Sequence, residues 1–161
     1  MKKIAVYAGS FDPVTYGHVD IVERAARVFD RVIVGVAHNT QKKPLFSVSE
    51  RVSMLKVATK HVSNIEIDDF DGLAVDYVMK KKANVLVRGL RMVSDFEYEF
   101  QMALTNRKIN DRVETIFLMP NESYSYLSST LLKEAAILGA NLKSFVPDFV
   151  EEKLKKKLKR K

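Results

Sequence analysis

The chain of 161 residues contains no cysteine, which excludes disulfides and thiolate metal sites. That suits a reducing compartment, and a cytoplasmic location is expected. Long apolar runs are also missing. No stretch approaches the roughly 20 residues that a membrane span needs, so no membrane partner is expected. The basic start Met1-Lys2-Lys3 meets only a few apolar residues before Gly9, unlike a secretory signal. An excess of one charge is missing too, except at one end. The formal net charge is +7, but seven of the 27 Lys and Arg lie in the last nine residues, "KLKKKLKRK". The other 20 balance 20 Asp and Glu.

A basic tail of this kind reads in two ways. It could serve nucleic acid or a membrane surface. It could also be a solvated helix end, since Asp148, Glu151 and Glu152 follow Pro147 and the lysines come last, a polarity that complements the helix dipole. The second reading leaves fewer features unexplained, and no nucleic-acid partner is expected. The remaining composition, 47% hydrophobic and 29% charged, is that of a globular protein. Residues 1–161 suit a single domain with its own core, with 153–161 as the tail.

Strand and helix patterns alternate. Lys3 to Ala8, Arg31 to Ala37, Ile65 to Asp68, Val85 to Arg88 and Glu114 to Met119 read as strands, most of them short and rich in Val and Ile. Helix starts are marked by capping boxes at Ser47-Val48-Ser49-Glu50 and Ser94-Asp95-Phe96-Glu97, and by Ser128-Ser129-Thr130. A Rossmann-like open parallel five-stranded sheet with helices on both faces follows, closed by the C-terminal basic helix. Ligands of such sheets bind beyond the carboxyl ends of the strands, at a topological switch point. The loops to inspect are therefore Gly9 to His18, His38 to Phe46, Phe70 to Leu73, Arg88 to Asp95 and Pro120 to Thr130.

Four of these five loops carry basic or hydroxyl groups suited to phosphates. "GSFDPVTYGH" ends at a helix entry, where free N–H groups bind anions and the dipole favours a neutral His18. The plain alternative is that His18 caps or packs. "HNTQKKPLF" offers Lys42 and Lys43, or merely an exposed pair. "VRGLR" places Arg88 and Arg91 around a glycine, a fork arrangement that fits phosphate oxygens. Those arginines could equally pair with Asp95, Glu97 or Glu99. "NESYSYLSST" holds five Ser and Thr in ten residues ahead of a helix, which serves anions or simple capping. His38 and His61 lack metal-ligand spacing. Phe96, Tyr98 and Phe100 suit packing or a subunit contact. No carboxylate cluster suggests a built-in metal cage.

"TYGH" resembles the TxGH motif of the nucleotidyltransferase superfamily, and "LSSTLLK" resembles its ISSTxxR motif with Lys133 in the arginine's place. Together with "KKPLF", "VRGLR", "DFEYE" and "YSYLSSTLLKE", the sequence from Lys3 to about Leu154 resembles the bacterial phosphopantetheine adenylyltransferase family. That resemblance implies adenylyl transfer from ATP to 4′-phosphopantetheine in coenzyme A biosynthesis. The products are dephospho-coenzyme A and pyrophosphate, and no covalent enzyme intermediate forms. It implies magnesium arriving with ATP and a homohexamer of two trimers. It assigns catalysis to His18, Lys42 and Arg91, and the acceptor to Ser10, Lys42, Leu73, Ala74 and Arg88. It assigns ATP to Ser10, Phe11, His18, Gly89, Leu90, Arg91, Glu99, Tyr124, Ser125, Tyr126, Leu127, Ser128, Ser129 and Thr130. Ala74, Met92 and Thr130 depart from the residues common at those places. The alternatives are a sister nucleotidyltransferase with another phosphate acceptor, such as nicotinate mononucleotide or glycerol phosphate, and a basic-tailed nucleic-acid binder.

Overall fold

The computed structural model describes residues 2–38 and 43–159. Five parallel strands form one sheet in the order β3-β2-β1-β4-β5, from β1 (Ile4–Gly9), β2 (Arg31–Ala37), β3 (Ile65–Phe70), β4 (Val85–Gly89) and β5 (Glu114–Leu118). Six helices accompany them: α1 (Tyr16–Val28), α2 (Val48–Ala58), α3 (Ala74–Lys80), α4 (Val93–Ile109), α5 (Ser129–Ile137) and α6 (Asp148–Lys159). The open Rossmann-like sheet expected from the alternating pattern is what forms. No helix among the described residues is long and apolar enough to cross a membrane.

The alternation of side chains along β1 explains the layering. Ala5 and Tyr7 join a core with α1, α2, α5 and α6, while Val6 and Ala8 join a second core with α3. Both faces of the central strand are therefore covered, and its sequence is apolar throughout rather than alternating. Gly35 in β2 permits a close approach on the second face. A Cβ there would lie 2.7 Å from the Tyr77 ring, which stacks on Phe70 with centroids 4.3 Å apart.

β1, β4 and β5 each shift by one residue at one or both ends, and three larger differences from expectation have identifiable reasons. β3 continues past Asp68 to Phe70, because Asp68 accepts from the Tyr77 hydroxyl at 2.8 Å and pairs with Lys81 at 2.6 Å. An acidic strand end is tolerated at a sheet edge when such partners exist. α1 begins at Tyr16, a turn ahead of its apolar pattern at Val19. Ser94 is not the N-cap of α4. α4 starts at Val93 from Met92 with no side-chain cap, and Asp95 is held by Arg91 instead.

The Ser47–Glu50 box does form, with both reciprocal bonds. α6 is no free polycation. Val150 and Leu154 are fully buried, and Lys157 pairs with Glu50 at 2.8 Å. Arg160 and Lys161, the end of the expected tail, lie outside the described residues.

Candidate active site

The chain runs β1, β2, β3 toward one edge and then returns to place β4 beside β1. The switch point is the crevice between those two strands, and the loops after them meet there. In the first loop Phe11 takes a left-handed conformation with φ 51° and folds its ring back over Gly9. A Cβ on Gly9 would come within 3.1 Å of that ring and crowd it. Phe11 is buried and meets Tyr7 and His18 edge-on, with centroids 5.2 Å and 5.0 Å apart. Burial pushes the Tyr7 phenol well above its usual range, so it stays neutral.

Thr15 caps α1, and His18 answers from the third helical position. The Thr15 backbone N–H donates to His18 Nδ1 at 3.0 Å. A backbone N–H can only donate, so Nδ1 is the unprotonated nitrogen and Nε2 carries the hydrogen. Burial, then Arg91 and Arg88, lower the imidazole pKa to about 3. His18 is therefore a neutral donor fixed in one tautomer. Nε2 has no hydrogen-bond partner among the described residues. Capping uses Nδ1 and leaves the Nε2 hydrogen to donate elsewhere, so the two readings of His18 do not exclude each other.

Arg88 is the penultimate residue of β4 and is almost fully committed. Nη1 donates to the Ala8 carbonyl at 2.7 Å, while Nε and Nη2 form a fork on the Glu99 carboxylate at 3.0 and 2.6 Å. Burial opposes the charge, but Glu99 outweighs it and holds the guanidinium above its ordinary value. Glu99 is itself buried on α4. Arg91 forks onto Asp95 at 3.1 and 3.3 Å and donates to the Leu127 carbonyl. Leu90 N–H donates to the Leu118 carbonyl at 3.0 Å, and Gly89 pairs with Leu118 in the sheet. The fourth and fifth loops are thus joined.

In the fifth loop a short turn, Glu122–Tyr124, brings the Tyr124 ring within 5.9 Å of Tyr16. Ser125 donates to the Glu122 carbonyl at 2.8 Å, Leu127 is buried, and Tyr126 and Thr130 are exposed. Ser128 caps α5, and the Ser129 hydroxyl donates to the Pro13 carbonyl at 3.0 Å. Backbone N–H groups at the start of α5 thus face the same region as the first loop.

Arrangement on the other side is looser. Ser10 is exposed. Leu73 and Ala74 follow β3 at the sheet edge, two strands from β1. Lys42 lies outside the described residues, and Lys43 is exposed. The structure therefore gathers His18, Phe11, Arg88, Arg91, Glu99 and 124–130 around one crevice and sets Leu73 and Ala74 apart.

Two charged residues, Asp12 and Arg51, were missed by the sequence reading. Asp12 is buried and accepts from Leu45 N–H and Phe46 N–H, each at 2.9 Å, and from Lys133 Nζ at 2.9 Å. Lys133, which stands at the motif's arginine position, is thereby tied to the first loop. Arg51 is fully buried and donates to the carbonyls of Phe46, Ser10 and Ala37 at 3.2, 2.7 and 3.0 Å. One signal was available. Arg51 shares the core phase of α2 with Met54 and Leu55, and a lone arginine in such a phase calls for buried acceptors.

Comparison with known proteins places this geometry. The family model described as cytidylyltransferase-like matches residues 6–135. A phosphopantetheine adenylyltransferase of Caldanaerobacter subterraneus is 57% identical over 98% of this chain and 99% of its own length. One from Carboxydothermus hydrogenoformans is 56% identical over 98% of each. Among solved structures, a Vibrio parahaemolyticus protein with the provisional name nicotinate-nucleotide adenylyltransferase aligns with a TM-score of 0.72. It is 21% identical and covers 96% of this chain and 99% of its own, a likeness of fold.

Proposed function

This chain belongs to the phosphopantetheine adenylyltransferases of the cytidylyltransferase-like family, and we propose that it joins the adenylyl group of ATP to 4′-phosphopantetheine. The products are dephospho-coenzyme A and pyrophosphate. The observation that carries the reading is His18, a neutral imidazole locked as an Nε2–H donor between two arginines at the switch point.

The reaction brings one phosphate against another, so repulsion and orientation dominate its barrier. The acceptor's phosphate is the nucleophile and needs no help from an enzyme nucleophile. The chain must hold it in line with the α-phosphorus and the departing pyrophosphate. Arg88 and Lys42 neutralise the attacking phosphate. His18 donates through Nε2 to the α-phosphate as charge gathers there, and being neutral it withdraws no proton from its surroundings. Arg91, with the start of α5 at Ser128 and Ser129, receives the leaving side. Glu99 keeps Arg88 charged and extended. Leu73 and Ala74 offer the acceptor's arm a place along the sheet edge.

Magnesium belongs to the same proposal. Among the described residues no group of three or more His, Asp or Glu is placed to hold a metal, so nucleotide phosphate oxygens are the donors that fit. The ion would add positive charge on the leaving pyrophosphate. A homohexamer is also proposed. It is supported by apolar side chains left uncovered on α4 and just after α5, with Val93 90% and Leu138 86% exposed, Tyr98 exposed, and Phe96 and Leu104 about half exposed. A cytoplasmic location, where ATP is made and used, completes the reading.

The test is pyrophosphate release from ATP, magnesium and 4′-phosphopantetheine, beside an identical reaction without the acceptor. Acceptor-dependent release, with dephospho-coenzyme A identified by mass, is expected. Release with nicotinate mononucleotide or glycerol phosphate instead would reassign the acceptor.

A further inference from the structure

We propose that Arg51, which touches no reacting group, is the positioning residue for the acceptor half of the site. The proposal rests on the reading given under Proposed function. Arg51 has no exposed surface, and an arginine so buried loses its hydration. Burial lowers its pKa, and Asp12 only partly offsets that. An apolar side chain of similar volume would fill the space without that loss, so stability alone does not account for the charge. Its Nη2 even lacks a hydrogen-bond partner among the described residues.

What the guanidinium does achieve is geometric. Its Nη1 bridges the carbonyls of Ser10, just after β1, and Ala37, the last residue of β2. Its Nε reaches Phe46, just before α2. Ala37 and Phe46 bracket the segment that holds Lys42 and Lys43, and Ser10 is assigned to the acceptor and also to ATP. A planar fork fixes three acceptors relative to one another, which an ammonium group cannot do. Asp12 secures the same place from the donor side, through Leu45 N–H and Phe46 N–H. Arg51 makes no hydrogen bond to Gly89–Arg91 or to 124–130. Ser10 is its one partner shared with the nucleotide, while Ala37 and Phe46 border the Lys42 segment, so its influence falls more on the acceptor than on ATP.

The full chain with Arg51→Met, and with Arg51→Lys, tests this. The readouts are the KM for 4′-phosphopantetheine, the Kd for ATP by calorimetry, and amide hydrogen exchange of Leu45 and Phe46. Arg51→Met should raise the acceptor KM at least tenfold, leave the ATP Kd within twofold, and speed exchange at Leu45 and Phe46 without changing β4, β5 or α5. Arg51→Lys should lie between this and the wild type, and it carries the test alone if the Met variant does not fold. Equal weakening of both substrates, or faster exchange everywhere, would assign Arg51 to general stability and overturn the proposal. So would no change in any readout. If the wild type releases no pyrophosphate with this acceptor, the assigned reaction fails first, and the ATP and exchange measurements still decide on Arg51.

Discussion

The loops after β1 and β4 flank one crevice, yet they are held in opposite ways. The β1 loop is fixed by buried, directional bonds to backbone: Thr15 to His18, Asp12 to Leu45 and Phe46, Arg51 to Ser10. The β4 loop also has backbone bonds, to the carbonyls of Ala8, Leu127 and Leu118, but its arginines rest chiefly on ion pairs, Arg88 with Glu99 and Arg91 with Asp95, and both carboxylates lie on α4 one turn apart. Backbone bonds admit one arrangement. Ion pairs can exchange one anion for another. In the proposed reaction the first loop would supply a donor held in one position, and the second would supply charges that trade a carboxylate for a phosphate. Bringing positive charge to a crevice before substrate arrives creates repulsion, and the α4 carboxylates remove it.

Breaking the rigid side should have the largest effect. His18→Ala removes the fixed Nε2–H donor and should lower kcat by roughly 100-fold or more, the scale for one transition-state donor. ATP and acceptor binding should change far less, since the arginines remain. Single-turnover rates beside equilibrium binding separate the two. An unchanged kcat would remove His18 from the chemistry.

Breaking the exchangeable side at its buried end comes next. Arg88→Met leaves the Glu99 carboxylate buried and unpaired, which should cost about 3 kcal/mol of stability. Arg88→Met with Glu99→Leu should recover most of that stability in a denaturant titration. Acceptor affinity should stay low in both, because a paired core is not a phosphate site. Recovery of affinity in the double variant would mean that Arg88 serves only the fold.

A gentler probe of the rigid side uses pH. The folded pKa of His18, about 3, lies below its unfolded value of about 6.5. Between these values the unfolded chain binds a proton that the native chain refuses, so stability rises with pH there and is lost as pH falls from about 6.5 toward 3. His18→Gln should lose less Tm than the wild type between pH 7 and pH 5, with carboxylate contributions cancelling in the difference. Parallel curves would mean that the imidazole takes up its proton in the folded state.

How much of this was legible in the sequence follows the same division. Arg88 and Arg91 around Gly89, and their rivals on α4, could be named from spacing alone, because ion pairs are between side chains whose identities are written. The sheet was legible for a similar reason: Ala5 to Ala8 and Val32 to Val36 are apolar on both faces. Asp12 and Arg51 were not legible, since their partners are backbone groups of Leu45, Phe46, Ser10 and Ala37, and every residue has those. Ser94 reads as an N-cap, but α4 begins at Val93, so Ser94 already lies inside the helix. Lys42, read from "KKPLF", lies outside the described residues.

The smallest effect belongs to the exposed end of the exchangeable side. The Arg91–Asp95 pair is partly open to water, with side chains 39% and 26% exposed, so its loss should shift stability by less than about 1 kcal/mol. Asp95→Asn keeps the shape and removes the charge that a phosphate must displace. ATP should therefore bind a few-fold tighter to the variant, and more so at low salt, where the lost repulsion is less screened. Calorimetry at two salt concentrations measures both. Weaker ATP binding would show the opposite balance: Asp95 would then be aligning Arg91 for the nucleotide rather than competing for it, and the β4 loop would be as rigidly built as the β1 loop.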